Sequence, residues 1–180
     1  QNTFWVGTFD GGLHIMNRET GMFEQFHPDG QPGSLASNII LSLFEDSHQN
    51  LWVGTGYPSA LQRFDRSTRT FVNVDLPADS IVFTGEGIRV IYEDHDGILW
   101  LGGWSDGLYR FNPQTGEFNV YRHEDDDPSS LSDDSVYAIG EDNNGDLWFG
   151  TRNGLNRLNR DINTFTIYTT QDGLPDGTVY

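Results

Sequence analysis

Cysteine is absent from the 180 residues. That excludes a disulfide framework and thiolate chemistry. Basic residues are scarce: 10 Lys+Arg stand against 27 Asp+Glu, for a formal charge of −17. Such a surface lacks the positive field that nucleic-acid phosphates need, and it disfavours anionic lipid. The composition therefore predicts no nucleic-acid partner and no direct membrane contact. No run approaches the roughly 18 apolar residues of a spanning helix, and no window has a convincing helical period. The chain opens at Gln1 with no signal peptide, the expectation for a mature product or an excised piece of something longer. Histidines stand at 14, 27, 48, 95 and 123 without a His-x-x-x-His pair, so no metal site is predicted. Asp94-His95-Asp96-Gly97 and Asp142-Asn143-Asn144-Gly145-Asp146 lack the full arrangement of a calcium loop. A Gly-x-Ser-x-Gly elbow and a phosphate loop are missing too. No cofactor is predicted.

What the chain does have is a signature that returns four times. Phe4-Trp5-Val6-Gly7-Thr8 recurs as Leu51-Trp52-Val53-Gly54-Thr55, Leu99-Trp100-Leu101-Gly102-Gly103 and Leu147-Trp148-Phe149-Gly150-Thr151. The tryptophans are 47, 48 and 48 residues apart, and self-similarity at a fixed period marks a repeat architecture. Each unit holds four short runs that alternate apolar with polar at period two. The first is typified by Ile88 to Glu93, the second by the signature, the third by Leu108 to Asn112 and the fourth by Phe118 to Tyr121. Asp96-Gly97 and Asn144-Gly145 supply the tight turn between runs one and two. The prediction is an all-β fold, a β-propeller with four-stranded antiparallel blades. The repeated Trp is expected to pack between neighbouring sheets, and the glycine two residues later to let the adjacent blade approach.

The blades are predicted at 1–38, 39–87, 88–135 and 136–177. The first lacks its own opening strand, and a strand like 178–180 would complete it. Three readings of the ring stay open: four blades, half of an eight-bladed ring closed by a second copy, or part of a longer propeller. A homo-oligomer or the remainder of a larger propeller is favoured.

The unit Ser135-Val136-Tyr137-Ala138-Ile139-Gly140-Glu141-Asp142-Asn143-Asn144-Gly145-Asp146-Leu147-Trp148-Phe149-Gly150-Thr151, followed by Gly154-Leu155-Asn156-Arg157, resembles the two-component regulator propeller repeat. The connector-like runs Thr169 to Pro175 and Asp126 to Ser132 share the resemblance, which covers the whole chain. It implies a bacterial sensor on the periplasmic or extracellular face of a membrane-anchored protein. It also implies downstream signalling domains and, in some members, a carbohydrate breakdown product as ligand. The second unit departs from the pattern at Gly54 to Ala60 and in its connector, Asp75 to Gly87.

Loops joining strands two to three, and strand four to the next strand one, emerge at one end of a propeller. That end holds the long, irregular segments Gln25 to Asn38, Asp75 to Gly87 and Arg122 to Ser135. Binding residues concentrate on loops held by a rigid scaffold, so the mouth of the central channel at this end is the expected site. Trp104, the one tryptophan outside the repeat register, suits stacking on a sugar face. Tyr57 has the same potential, Arg152 could fork a carboxylate or sulfate, and Phe9 is a further candidate. The functional expectation is a non-catalytic sensor of a small ligand, a saccharide foremost. The alternatives are a lyase or hydrolase of the streptogramin-lyase type, with His14 and His123 as loose candidates, and a protein-binding scaffold.

Overall fold

The computed structural model describes residues 3–74 and 87–180; the connector at 75–86 lies outside them. Fifteen strands and one short 3₁₀ turn make up the regular structure of the described residues. Blade 1 contains β1 (Phe4–Gly7), β2 (Leu13–Met16) and β3 (Phe23–Phe26). Blade 2 contains β4 (Ile40–Glu45), β5 (Leu51–Thr55), β6 (Leu61–Asp65) and β7 (Thr70–Asn73). Blade 3 contains β8 (Ile88–Glu93), β9 (Leu99–Gly103), β10 (Leu108–Phe111) and β11 (Phe118–Tyr121). Blade 4 contains β12 (Val136–Glu141), β13 (Leu147–Thr151), β14 (Gly154–Asn159) and β15 (Thr164–Tyr168). Every sheet is an antiparallel meander in chain order, three-stranded in blade 1 and four-stranded in the others. The result is a partial propeller of four blades.

Three of the four signature tryptophans pack between blades, as the repeat predicts, while Trp148 lies against Tyr168 of its own blade. Trp5 meets Phe64 of blade 2 edge-on at 4.9 Å, Trp52 meets Phe111 of blade 3 at 6.0 Å, and Trp100 lies 5.3 Å from Phe149 of blade 4. Each joins a separate apolar cluster at its own boundary. Trp52, Trp100 and Trp148 also have a polar constraint that the sequence pattern left unread. Trp52 Nε1 donates to Asp46 Oδ2 at 2.8 Å, Trp100 Nε1 to Asp94 Oδ2 at 2.8 Å and Trp148 Nε1 to Asp142 Oδ2 at 3.0 Å. The other carboxylate oxygen of each Asp accepts two backbone N–H groups of the hairpin turn. One side chain thus closes the turn and orients the indole. At Asp46, burial works to raise the pKa; donors from Asn50, Trp52 and the turn outweigh it and leave it below the ordinary value. At Asp142 the Trp148 bond is the leading cause of a lowered value.

The signature glycine is a contact point. A Cβ on Gly102 would stand 2.5 Å from Val90 and 2.9 Å from Val136, and one on Gly54 would stand 2.8 Å from the Ile88 carbonyl oxygen. The first strand of the next blade presses on this position at Gly7, Gly54 and Gly102; at Gly150 the segment around Val179 does so. Val179 N donates to Thr151 O at 2.9 Å, as Ile40 N does to Thr8 O at 2.9 Å. The terminal segment therefore takes, beside blade 4, the place that an opening strand takes beside blade 1.

The long connectors are less free than their length implied. Leu35 and Leu131 are buried between blades. Gln62 binds the first connector through Ala36 N at 2.8 Å and Ser34 O at 3.1 Å. Asn156, at the matching position of blade 4, accepts from Ser132 N at 2.9 Å. The connector runs Ser34-Leu35-Ala36 and Ser130-Leu131-Ser132 serve packing and hydrogen bonding.

Arg160 joins blades 3 and 4 at the hairpin end. Its guanidinium reaches Asp94 at 3.2 Å, Asp96 at 3.1 Å and Glu141 at 3.0 Å. His95 Nδ1 also bonds Glu141. This hydrogen bond is the leading cause of a raised His95 pKa, opposed by burial and helped by the charges of Glu141 and Asp96. His123 is raised too, first through its bond to the Leu131 carbonyl oxygen.

Two predictions follow from this packing. Gly102→Ala inserts a methyl into the blade 3–blade 4 contact and should cost about 1–3 kcal/mol in urea unfolding; an unchanged midpoint would contradict the close approach. Raised histidine pKa values mean that the folded state holds protons more tightly. Their contribution is complete below about pH 6.5, the ordinary value, and fades as pH rises through the folded values. Thermal melts should show stability declining across that interval, with a shallower slope in His95→Gln; identical slopes would remove His95 from the linkage.

Candidate functional site

Strand one of each complete blade enters through an irregularity. Pairing passes from Ile40↔Thr55 to Ser42↔Gly54, from Ile88↔Gly103 to Val90↔Gly102, and from Val136↔Thr151 to Ala138↔Gly150. The skipped residues are Leu41, Arg89 and Tyr137. A bulge leaves one residue out of the ladder and re-aims its side chain. First strands of neighbouring blades lie against one another, β4 with β8 and β8 with β12, so they form the inner wall. The skipped residues stand at its rim, at the end where the strand-two-to-three loops emerge.

Those loops are tied down at the same place. Gly56 N donates to Ile39 O at 2.8 Å, Trp104 N to Gly87 O at 3.2 Å and Arg152 N to Ser135 O at 3.1 Å. Each bond anchors the loop to the residue two before the bulge. Trp104 is 39% exposed, and the Arg89 guanidinium lies over its ring at 4.5 Å. The same guanidinium lies over Tyr137 at 4.3 Å. Tyr137 in turn stacks on Tyr180, with centroids 5.0 Å apart and planes at 9°. A row Trp104–Arg89–Tyr137–Tyr180 thus runs along the rim past blades 3 and 4.

The four residues singled out by sequence all fall on strand-two-to-three loops. Tyr57 is 84% exposed and Phe9 74% exposed. The Tyr57 carbonyl oxygen accepts from Ser37 Oγ at 2.9 Å, and a cis peptide links Tyr57 to Pro58. Arg152 is exposed, and its carbonyl oxygen accepts from Thr178 Oγ1 at 3.2 Å. Among the described residues no ring contact or hydrogen bond joins any two of these four. Only Trp104 belongs to the stacked row. Arg89, Tyr137 and Tyr180 were missed. Aligning the repeats on the Asp that binds the tryptophan puts Leu41, Arg89 and Tyr137 in one column, Tyr180 follows Val179 as Tyr137 follows Val136, and that column was the available signal.

Other clusters are engaged by the fold. A groove of about 440 Å³ at the hairpin end is lined by His95, Asn144, Asp146, Arg157 and Arg160, where Arg157 pairs with Asp146 at 2.6 Å. Asp46, His48 and Glu93 offer ligand atoms within 4.8 Å of one another. Asp46 already accepts from Asn50, Trp52 and the turn, and Glu93 from Ser47 N and Oγ. Their lone pairs serve the turn. His14 lies edge-on to Phe23 and His27 in blade 1, whereas His123 is bound to Leu131 O in the connector after blade 3. The two hypothetical catalytic histidines are not brought together.

The family model described as two component regulator propeller matches residues 34–57, 83–105 and 130–153. These three segments are two-component regulator propeller repeats. Each matched segment spans a connector, a first strand and a Trp-Gly strand, the parts that carry the clamp and the bulge. Histidine kinase P4 of Formosa agariphila is 30% identical over 175 residues, covering 94% of this chain and 12% of the kinase. The extracellular domain of a protein described as the hybrid two component system BT3049 of B. thetaiotaomicron superposes with a TM-score of 0.74 at 25% identity. That match covers 92% of this chain and 22% of that domain. Virginiamycin B lyase of Staphylococcus aureus shares the fold alone, with a TM-score of 0.66 at 16% identity over 96% of this chain and 52% of the enzyme. The chain thus spans about an eighth of the kinase and about a fifth of the solved extracellular domain. Among the described residues no helix is long and apolar enough to cross a membrane.

Proposed function

We propose that these regulator-propeller repeats belong to a periplasmic or extracellular sensor, that the rim around Trp104 recognises a small ligand, a saccharide foremost, and that signalling domains of a membrane-anchored parent read its occupancy. One observation carries the reading: the variable end of a repeat scaffold presents a half-exposed Trp104 in a stacked row. Aromatic faces bind the apolar face of a pyranose, and a rim held by backbone bonds is preorganised for it. The hybrid two-component relative is an extracellular domain, which fits a ligand met outside the cytoplasm. Tyr57, Arg152 and Phe9 extend the same end of the ring as secondary contacts. Signal transfer would be a population shift, ligand binding favouring one arrangement of propellers over another.

The lyase reading has the fold likeness to virginiamycin B lyase behind it and nothing local: His14 packs edge-on to Phe23 and His27, and His123 is engaged by the Leu131 carbonyl oxygen and Asp125. Calorimetric titration of the full-length protein with a panel of oligosaccharides tests the sensor reading. A binder should be found, and Trp104→Ala should weaken it about tenfold. Full affinity in the variant would remove Trp104 from the site. Conversion of a saccharide, detected chromatographically, would replace the sensor reading with a catalytic one.

A further inference from the structure

The Arg89 guanidinium packs on two rings, Trp104 at 4.5 Å and Tyr137 at 4.3 Å. A planar cation packed on ring faces makes its hydrogen bonds through its in-plane N–H edge. That edge is a fork matched to the two oxygens of a carboxylate, or to two of a sulfate. The stack fixes the plane of the fork before any ligand arrives, so less side-chain entropy is lost on binding. The Tyr137–Tyr180 stack backs one ring, and the bond from Trp104 N to Gly87 O anchors the loop of the other.

The placement is particular to this blade. The bulge position is Leu41 in blade 2 and Tyr137 in blade 4; blade 3 alone puts a cation there. Five other arginines of the described residues, Arg66, Arg69, Arg110, Arg157 and Arg160, are paired with carboxylates. Among the described residues Arg89 is held by ring faces, in a chain of net charge −17. A second cation, Arg152, occupies on blade 4 the loop position that Trp104 has on blade 3, and it is exposed.

We infer that Arg89, clamped between Trp104 and Tyr137, selects saccharides that carry an oxyanion, a uronic acid carboxylate or a sulfate ester, over neutral ones. The inference rests on the saccharide reading above and adds the charge of the ligand to it. The guanidinium edge binds the acid group, and the sugar ring stacks on a Trp104 or Tyr180 face turned away from the row.

The test is titration of the full-length protein with a galacturonic acid trimer, the neutral galactose trimer and a sulfated galactose trimer. The wild type should bind an acidic probe at least tenfold more tightly than the neutral one, with an affinity that falls as salt is raised. The preferred acidic probe tells carboxylate from sulfate. Arg89→Gln should abolish the preference, weakening the acidic probe at least tenfold more than the neutral one. Arg89→Lys, which keeps charge but loses the flat fork, should retain only part of it. Circular dichroism melts of both variants separate loss of binding from loss of fold, and Arg89→Lys decides if Arg89→Gln unfolds. Equal wild-type affinity for neutral and acidic probes overturns the inference and leaves the saccharide reading standing. An acidic preference that survives in both variants overturns the role of Arg89. Silence toward all three probes overturns the inference; silence across the full oligosaccharide panel overturns the saccharide reading as well.

Discussion

A carboxylate that binds an indole holds this protein together. In each complete blade an Asp at the end of strand one gives one oxygen to its hairpin turn and the other to the tryptophan six residues on. A buried carboxylate with unfilled lone pairs, or a buried indole N–H without an acceptor, would cost about 1–3 kcal/mol. Each group removes that cost for the other. The bond fixes the ring, the ring fills the gap to the next blade, and the signature glycine lets the next first strand press against it. Blade 1 provides the contrast. Its opening strand and Asp are not among the described residues, and Trp5 Nε1 is buried without a partner.

The clamp divides the propeller into two ends with different duties. At the hairpin end, charged groups are consumed in holding blades together: Arg160 among Asp94, Asp96 and Glu141, and His95 on Glu141. At the opposite end each first strand begins with a bulge, and the residue it releases is different in every blade. A fixed frame thus presents one variable side chain per blade at the rim, with a tethered loop residue beside it. That is how a repeat scaffold acquires specificity without altering its core.

Much of this was legible in the sequence. The 47–48-residue period gave the blades, the strand order and the interblade tryptophans, because packing between identical units repeats the same residue at the same place. Asp96-Gly97 and Asn144-Gly145 gave the turns, with positive φ at Gly97 and Gly145. In blade 2 Gln49 takes that conformation without glycine, where a turn rule based on residue type has nothing to read. The Asp–Trp bond was hidden because the Asp reads first as a turn residue. Trp104 stood out because it breaks the register. Arg89 and Tyr137 did not, since each reads as an ordinary strand residue; their meeting depends on a bulge and on the curvature that brings two first strands together. The connectors were read as long loops at the binding end; Leu35 and Leu131 bury part of two of them.

The claim that the carboxylate–indole bond organises each blade is tested most directly by a double-mutant cycle on Asp94 and Trp100. Unfolding free energies of Asp94→Ala, Trp100→Phe and the double variant would be measured in urea. Trp100→Phe keeps a ring in the gap and removes only the N–H. The account predicts a coupling energy of about 1 kcal/mol or more, with the second substitution costing less once the first is made. Additive costs would contradict it and leave the tryptophan as a space-filling residue alone.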